Sequence, residues 1–298
     1  MSGSAPRSAW PPGLGIVDTM IGFTDDAARV YAGVRRVLKD RESLEEFEMP
    51  ASYMFHDVPS SETRAPIDTV DATLAEMDRW GIDVGLVSLS ANQEVAEAAV
   101  TRHPTRFVGS WTVDPTQGVE GIRTLVRMHE RWGLRAVSFF PHGTSPPAAV
   151  DSPLAYPYYA TCAELGLPVF ITVGIAGPRV PSALQHVERL DPVLFDFPEL
   201  VVVMRHGGEP WVDLAVKLLL KWPNLYYSTS AFAPRYYPGA IVDYANTRGA
   251  HKVLYGGYFP MGLSLERIFT EMPTVPFAAD VWPRFLRQNA AGILKLDA

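Results

Sequence analysis

An imidazole at the end of an apolar run is well placed to move protons, because its ordinary pKa lies near neutrality. This chain has one in the stretch Val201-Val-Val-Met-Arg-His206-Gly-Gly-Glu-Pro-Trp211. The run reads as a buried parallel strand. In a barrel of alternating strands and helices, the C-terminal ends of such strands face the active site. The other strand ends add Asp18, Thr19, Met20 and Gly22, then Ser88, Ser90, Trp111, Asp114, Phe140 and His142, and finally Thr172, Glu209, Ser228, Ser230 and Tyr258. Hydroxyls and aromatic rings dominate this set. Zinc or manganese needs about three or four converging His, Asp, Glu or Cys side chains. Only Asp18, Asp114, His142, His206 and Glu209 are on offer, with no ligand-pair spacing among them. Neither a catalytic metal nor any other cofactor is expected from these residue types.

The elements that must position these groups follow from hydrophobic period. Short apolar runs predict strands at Leu14–Asp18, Val84–Ser90, Phe107–Val113, Leu134–Pro141, Pro168–Gly174, Val201–His206, Asn224–Ser230 and Lys252–Pro260. Helical spacing separates most of them. Ile67, Val70, Leu74, Met77 and Trp80 mark one helix, which Gly81 stops, and further helices are expected near 93–103, 119–132, 158–166, 212–222, 239–246 and 280–296. Eight strands alternating with helices count out a single α/β domain over residues 1–298, a (β/α)8 TIM barrel. An open doubly wound sheet is the alternative, disfavoured by the regular count and by the lack of a glycine-rich fingerprint after the first strand. Residues 25–65 form an insertion after strand one, on the side that bears active sites, and are a candidate lid.

Composition excludes several function classes. The 298 residues are 47% hydrophobic and 20% charged, within the ordinary range for a globular chain. A net charge of −7 argues against phosphate-neutralising contacts with nucleic acid. The lone Cys162 excludes an internal disulfide framework and a cysteine-built metal site, and points to the cytoplasm. The N-terminus lacks a signal-peptide core, and no run approaches the roughly 18 apolar residues that span a bilayer, so no membrane partner is expected.

The strand ends carry a run of weak motifs in a fixed order: Asp18-Thr-Met20-Ile-Gly22, Val-Phe-Ile-Thr172-Val-Gly, His206-Gly-Gly-Glu-Pro-Trp211, Gly256-Gly257-Tyr258-Phe-Pro260 and the tail Gln288-Asn289-Ala-Ala-Gly-Ile-Leu. In that order they resemble the amidohydrolase-related family that includes aminocarboxymuconate-semialdehyde decarboxylase, γ-resorcylate decarboxylase and the pyrone-dicarboxylate lactonases. The resemblance covers essentially the whole chain and implies an amidohydrolase-like barrel, a small-molecule substrate and a homo-oligomer, commonly a dimer. It also implies metal ligands at four positions that here are Met20, Gly22, Thr172 and Tyr258. His206 is the family position that remains, one that polarises water or handles protons.

The expected catalytic set is therefore His206, Tyr258, Asp18 and, from the insertion, His56. Met20, Gly22, Thr172, Trp111, His142, Ser228 and Glu209 are expected to contact substrate. Plainer alternatives stand beside each. His206 could simply bond a carbonyl, Tyr258 could fill the space a metal leaves, and His56 with Asp57 could be a surface pair. Asp18 could bond the pocket floor, and Glu209 could begin a helix. Arg205, opposite in alternation to His206, is expected to support the barrel wall. The leading function is metal-independent hydrolysis or carbon–carbon lysis, decarboxylase-like, of a small carboxylated or aromatic molecule. The alternatives are a degenerate ligand-binding or partner-stabilising barrel, an isomerase or cyclase, and a metallohydrolase with ligands relocated to His142, Asp114 or His56.

Overall fold

The computed structural model describes residues 10–23, 26–47, 51–54 and 69–296. Eight parallel strands run in sequence order: β1 (Ile16–Asp18), β2 (Ile82–Ser88), β3 (Phe107–Val113), β4 (Ala136–Phe139), β5 (Val169–Thr172), β6 (Val202–Arg205), β7 (Leu225–Ser228) and β8 (Val253–Leu254). The barrel expected from the sequence is thus the architecture found. Its β1/β8 seam closes beyond the strands: Tyr258 N donates to Met20 O at 2.8 Å and Gly22 N to Phe259 O at 2.8 Å. Thr19 Oγ1 donates to Tyr255 O at 2.7 Å.

Alternation along each strand divides the residues between two cores. Val17, Leu86, Ala136, Phe170, Val203 and Leu254 fill the barrel interior, together with Ala290 and Leu294. The opposite faces meet the helices in the larger outer core. These helices are α3 (Thr69–Trp80), α4 (Gln93–Arg102), α5 (Gly118–Trp132), α6 (Tyr156–Leu165), α7 (Leu190–Asp196), α8 (Val212–Lys221), α9 (Gly239–Tyr244), α10 (Leu265–Glu271), α11 (Val281–Pro283) and α12 (Asn289–Leu294). The insertion contributes α1 (Asp26–Val34) and α2 (Arg41–Glu45). No helix among the described residues is long and apolar enough to cross a membrane.

Two helices go beyond the periodic reading. In α7, Leu190, Val193 and Leu194 are buried at helical spacing, but Pro192 interrupts the signal. In α10, Leu265, Ile268 and Phe269 are buried, and Ser264 caps the helix by accepting from Arg267 N.

The β6 end needs its glycines. Gly207 sits at φ 78°, and a Cβ there would come within 2.7 Å of the Phe232 ring. Gly207→Ala is expected to lose roughly 1–3 kcal/mol of stability, read from urea denaturation.

Candidate active site

The ends of the strands surround a cavity of about 890 Å³. Its floor is made by inward residues near the ends of several strands, among them Ser88, Ser110, Ser138, Thr172 and Arg205. Arg205 is the correction of greatest consequence. The sequence reading turned it to the wall, because it and His206 are adjacent and a regular strand would send them to opposite sides. In the structure Val203 fills the interior, so Arg205, two residues on, points inward as well. The strand ends there, and the chain turns at His206 to φ 63°, which returns the imidazole to the same cavity.

Arg205 is 9% exposed. Its Nη1 donates to Ser138 Oγ at 3.0 Å and its Nη2 to Thr19 O at 3.3 Å. Its Cζ lies 4.8 Å from the centroid of the Phe170 ring. Its Nε has no partner, and among the described residues no carboxylate pairs with it. Burial pushes the guanidinium down to about 10, while the charge of Asp18 and the phenol of Tyr258 hold it up. The floor thus holds a cation whose Nε donor is unspent.

The groups around it are tuned by that cation and by burial. His206 is drawn down to about 3, first by burial and then by Arg205, with its contact to Ser230 acting the other way. Ser230 Oγ accepts from His206 N at 3.2 Å and lies 3.2 Å from Nδ1. The imidazole is therefore neutral at physiological pH, with Nε2 left for a ligand. Tyr258 packs edge-on to His206 at 5.3 Å between ring centroids, and burial raises its hydroxyl to about 12. Glu209 also lines the cavity, its carboxyl raised by burial. Among the described residues four that are not glycine have positive φ, and three of them, His206, Ala231 and Tyr258, line this cavity. Such conformations cost of order 1–3 kcal/mol each and gather at functional sites.

Met20, Gly22, Thr172, His206, Glu209 and Tyr258 all line the cavity. Other expectations do not hold. Trp111 has outward parity on β3; it packs on the outer core and lines a separate cleft of about 220 Å³. His142 is buried in the turn after β4, behind Phe140, with burial lowering its pKa. Ser228 is fully buried beneath the cavity, against Gly256. Asp18 is fully buried in the β1/β8 seam. Its Oδ1 accepts from Met20 N at 2.9 Å and Gly257 N at 2.8 Å, and the Tyr255 hydroxyl stands beside it without closing a regular hydrogen bond. Burial raises its carboxyl to about 6 against the pull of these neighbours and of Arg205. Asp18 thus clamps the two segments that carry Met20 and Tyr258, and does not reach the cavity. His56 and Asp57 lie outside the described residues.

The insertion covers one side of the mouth with Val30, Val34, Ala51 and Met54. It is fastened across the mouth by Arg179, whose Nη1 lies 2.9 Å from Asp40 Oδ1 and 2.7 Å from Glu42 Oε2. The same guanidinium covers the rings of Phe47 and Tyr53 at 5.0 and 4.8 Å. These groups are about one-third exposed or more, so solvent screens the network and its hold on the insertion is weak. Arg179→Ala is expected to speed amide exchange across α2 by roughly fivefold while exchange in β5 and β6 stays unchanged.

Among the described residues the site's donor chemistry does not fit a metal ion. Among the described residues no three His, Cys, Asp or Glu side chains come together in a way that could hold one. A guanidinium occupies the floor, and the one carboxylate beneath it is held by two backbone amides.

No curated protein matches the chain. Among solved structures, an uncharacterized TIM-barrel protein from Bordetella bronchiseptica superposes with a TM-score of 0.74 at 24% identity, covering 95% of this chain and 99% of that one. The 5-carboxyvanillate decarboxylase of Sphingomonas paucimobilis gives 0.62 at 19% identity, over 95% and 99%. A dihydroxybenzoic acid decarboxylase from Polaromonas sp. JS666, with bound manganese and 2-nitroresorcinol, gives 0.61 at 16% identity, over 95% and 98%. At these identities the superpositions establish the barrel and nothing finer. The amidohydrolase family model matches residues 50–296, from the insertion to the last helix, and so takes in the ends of β2 to β8 around the cavity: the chain belongs to the amidohydrolase family.

Proposed function

We propose that the chain is an enzyme acting on a small carboxylic acid without a metal, with Arg205 as the group that holds the substrate's negative charge. The observation that carries this reading is the buried guanidinium with an unshared Nε at the floor of the cavity. An arginine fork matches a carboxylate or an enolate oxygen bidentately, and in a water-poor site it stabilises developing charge strongly. The structural relatives named for decarboxylation of aromatic acids fit the choice of a carboxylic acid as substrate, and the manganese held by one of them marks the metal-dependent alternative that the test must separate.

The reaction proposed is carbon–carbon lysis of an acid whose carboxylate stands next to a carbonyl or phenol oxygen. The bond to the carboxylate carbon breaks and carbon dioxide leaves. The electron pair passes into the conjugated framework, placing charge on the neighbouring oxygen, which Arg205 holds with Ser138 and Tyr258 nearby. A proton then returns to carbon. His206 carries it. Part of what keeps His206 neutral is the Arg205 charge, and an anion docked on Arg205 cancels that part, so substrate binding itself makes the imidazole a better proton carrier. Ester or lactone hydrolysis would use the same oxyanion support. The insertion acts as the lid over the reaction.

The test is a screen of β-oxo and ortho-hydroxyaryl acids with chelator-treated protein, reading carbon dioxide release and product mass, beside His206→Gln. Turnover retained after chelation and lost in the variant is expected. Acids that bind without turnover would make the barrel a binder, and activity that needs added manganese or zinc would overturn the metal-free reading.

A further inference from the structure

We infer that the natural ligand is an amphipathic acid with a rigid apolar body longer than one ring, lying from Arg205 to the insertion. This rests on the proposed role of Arg205 and goes beyond it to the other end of the molecule. Three observations converge. The cavity, about 890 Å³, lies near the top of the roughly 300–1,000 Å³ range of ligand sites. Apolar side chains from several elements stand around it, Val34 and Met54 from the insertion, Phe140 and Ile175 from the loops after β4 and β5, and Phe232 and Leu263 from those after β7 and β8, with the cations Arg29 and Arg267 among them. Large apolar side chains are also left uncovered at the mouth, with Met54 52%, Ile175 49% and Tyr236 57% exposed. Apolar surface left open around a concave, polar-floored site marks the place where an apolar ligand body completes the packing.

The geometry divides the work. Arg205, Ser138 and Thr172 meet the acid at the floor, where β4, β5 and β6 end. The insertion, with Val34 and Met54 in the cavity lining, meets the other end of the body. A single-ring acid would satisfy the guanidinium and leave the insertion untouched; a fused-ring or similarly extended acid would reach both. The insertion then sets specificity by length, and closes best on the ligand that fills it.

The experiment titrates the full-length protein with benzoate, 2-naphthoate and pyrene-1-carboxylate, and with the matching aryl methanols, by calorimetry. Affinity should rise at least about fivefold with each enlargement, from apolar area removed from water. Met54→Asp, at an exposed position, should weaken the largest acid about fivefold or more and leave benzoate unchanged. Arg205→Met should weaken all acids and leave the methanols unchanged. Acids that bind equally whatever their size, or a Met54→Asp variant that binds pyrene-1-carboxylate as the wild type does, would overturn the extended body while sparing the Arg205 anchor. Methanols that bind as well as the acids would overturn the anchor while sparing the extended body. Binding of neither series would overturn both.

Discussion

Arg205→Met is expected to weaken binding of the carboxylic acid by at least about 30-fold while leaving the barrel as stable as before, or more so. The guanidinium is 9% exposed and, among the described residues, has no carboxylate partner. A buried charge of this kind serves the fold poorly: replacing buried ionic groups with apolar side chains of similar volume is often neutral, or stabilising by about 1–4 kcal/mol. Methionine matches the length of the stem and keeps a surface for the Phe170 ring. The losses are the donations to Ser138 Oγ and Thr19 O, each worth about 1 kcal/mol. For the ligand the change is large. An acid left buried without its counter-charge loses about 2–5 kcal/mol, a weakening of roughly 30-fold to several thousand-fold. Calorimetry and urea denaturation of the same preparations check both halves. A variant that binds normally but unfolds several kcal/mol more easily would show that the guanidinium serves the wall after all.

His206→Gln is expected to lower turnover by roughly 10²- to 10⁴-fold, the usual worth of a positioned proton carrier. It should also change how stability depends on pH. Protonation of His206 in the folded state is held down to about 3, against an ordinary value of 6.5. Between those values the unfolded chain binds more protons, so this residue's contribution is present above about pH 6.5 and is lost as pH falls toward 3. Asp18 runs the other way, because its folded value is raised from 3.8 to about 6. Between them the folded state binds more protons, so its contribution is fullest below 3.8 and is lost as pH rises through 6. The two slopes oppose each other from about pH 4 to 6. His206→Gln leaves Asp18 alone and should show stability falling across that window. Asp18→Asn leaves the imidazole alone and should show stability rising. Urea midpoints measured from pH 3.5 to 7 read the slopes, and variants that run parallel to the wild type would contradict the assignment.

The barrel was legible because each strand is a compact apolar run, and its polar end announces which side bears chemistry. The C-terminal half of the site followed from the same rule: Thr172, His206, Glu209 and Tyr258 are strand-end residues and stand in the cavity. Arg205 was misplaced because alternation holds only while the strand lasts, and a positive φ at His206 puts two adjacent side chains into one space. Nothing in Arg-His-Gly-Gly states that turn except the paired glycines, which mark irregular backbone without giving its direction. Trp111 was misplaced for a simpler reason. It stands one residue from Ser110 and Thr112, which line the cavity, and one residue reverses the face. Asp18 shows a third limit, since its partners Met20 N and Gly257 N are backbone groups on opposite sides of the seam, brought together only by barrel closure. The Arg179 fastening is likewise long-range, joining residues 139 apart in sequence.

The most direct test of the central claim is a crystal structure of the protein with 2-naphthoate. The carboxylate is expected at hydrogen-bonding distance, about 2.7–3.1 Å, from the Arg205 guanidinium, near Ser138, with the rings between Phe140 and Phe232 and pointing toward Met54. A carboxylate found at the mouth on Arg29 or Arg267, with Arg205 still facing an unaltered floor, would contradict it.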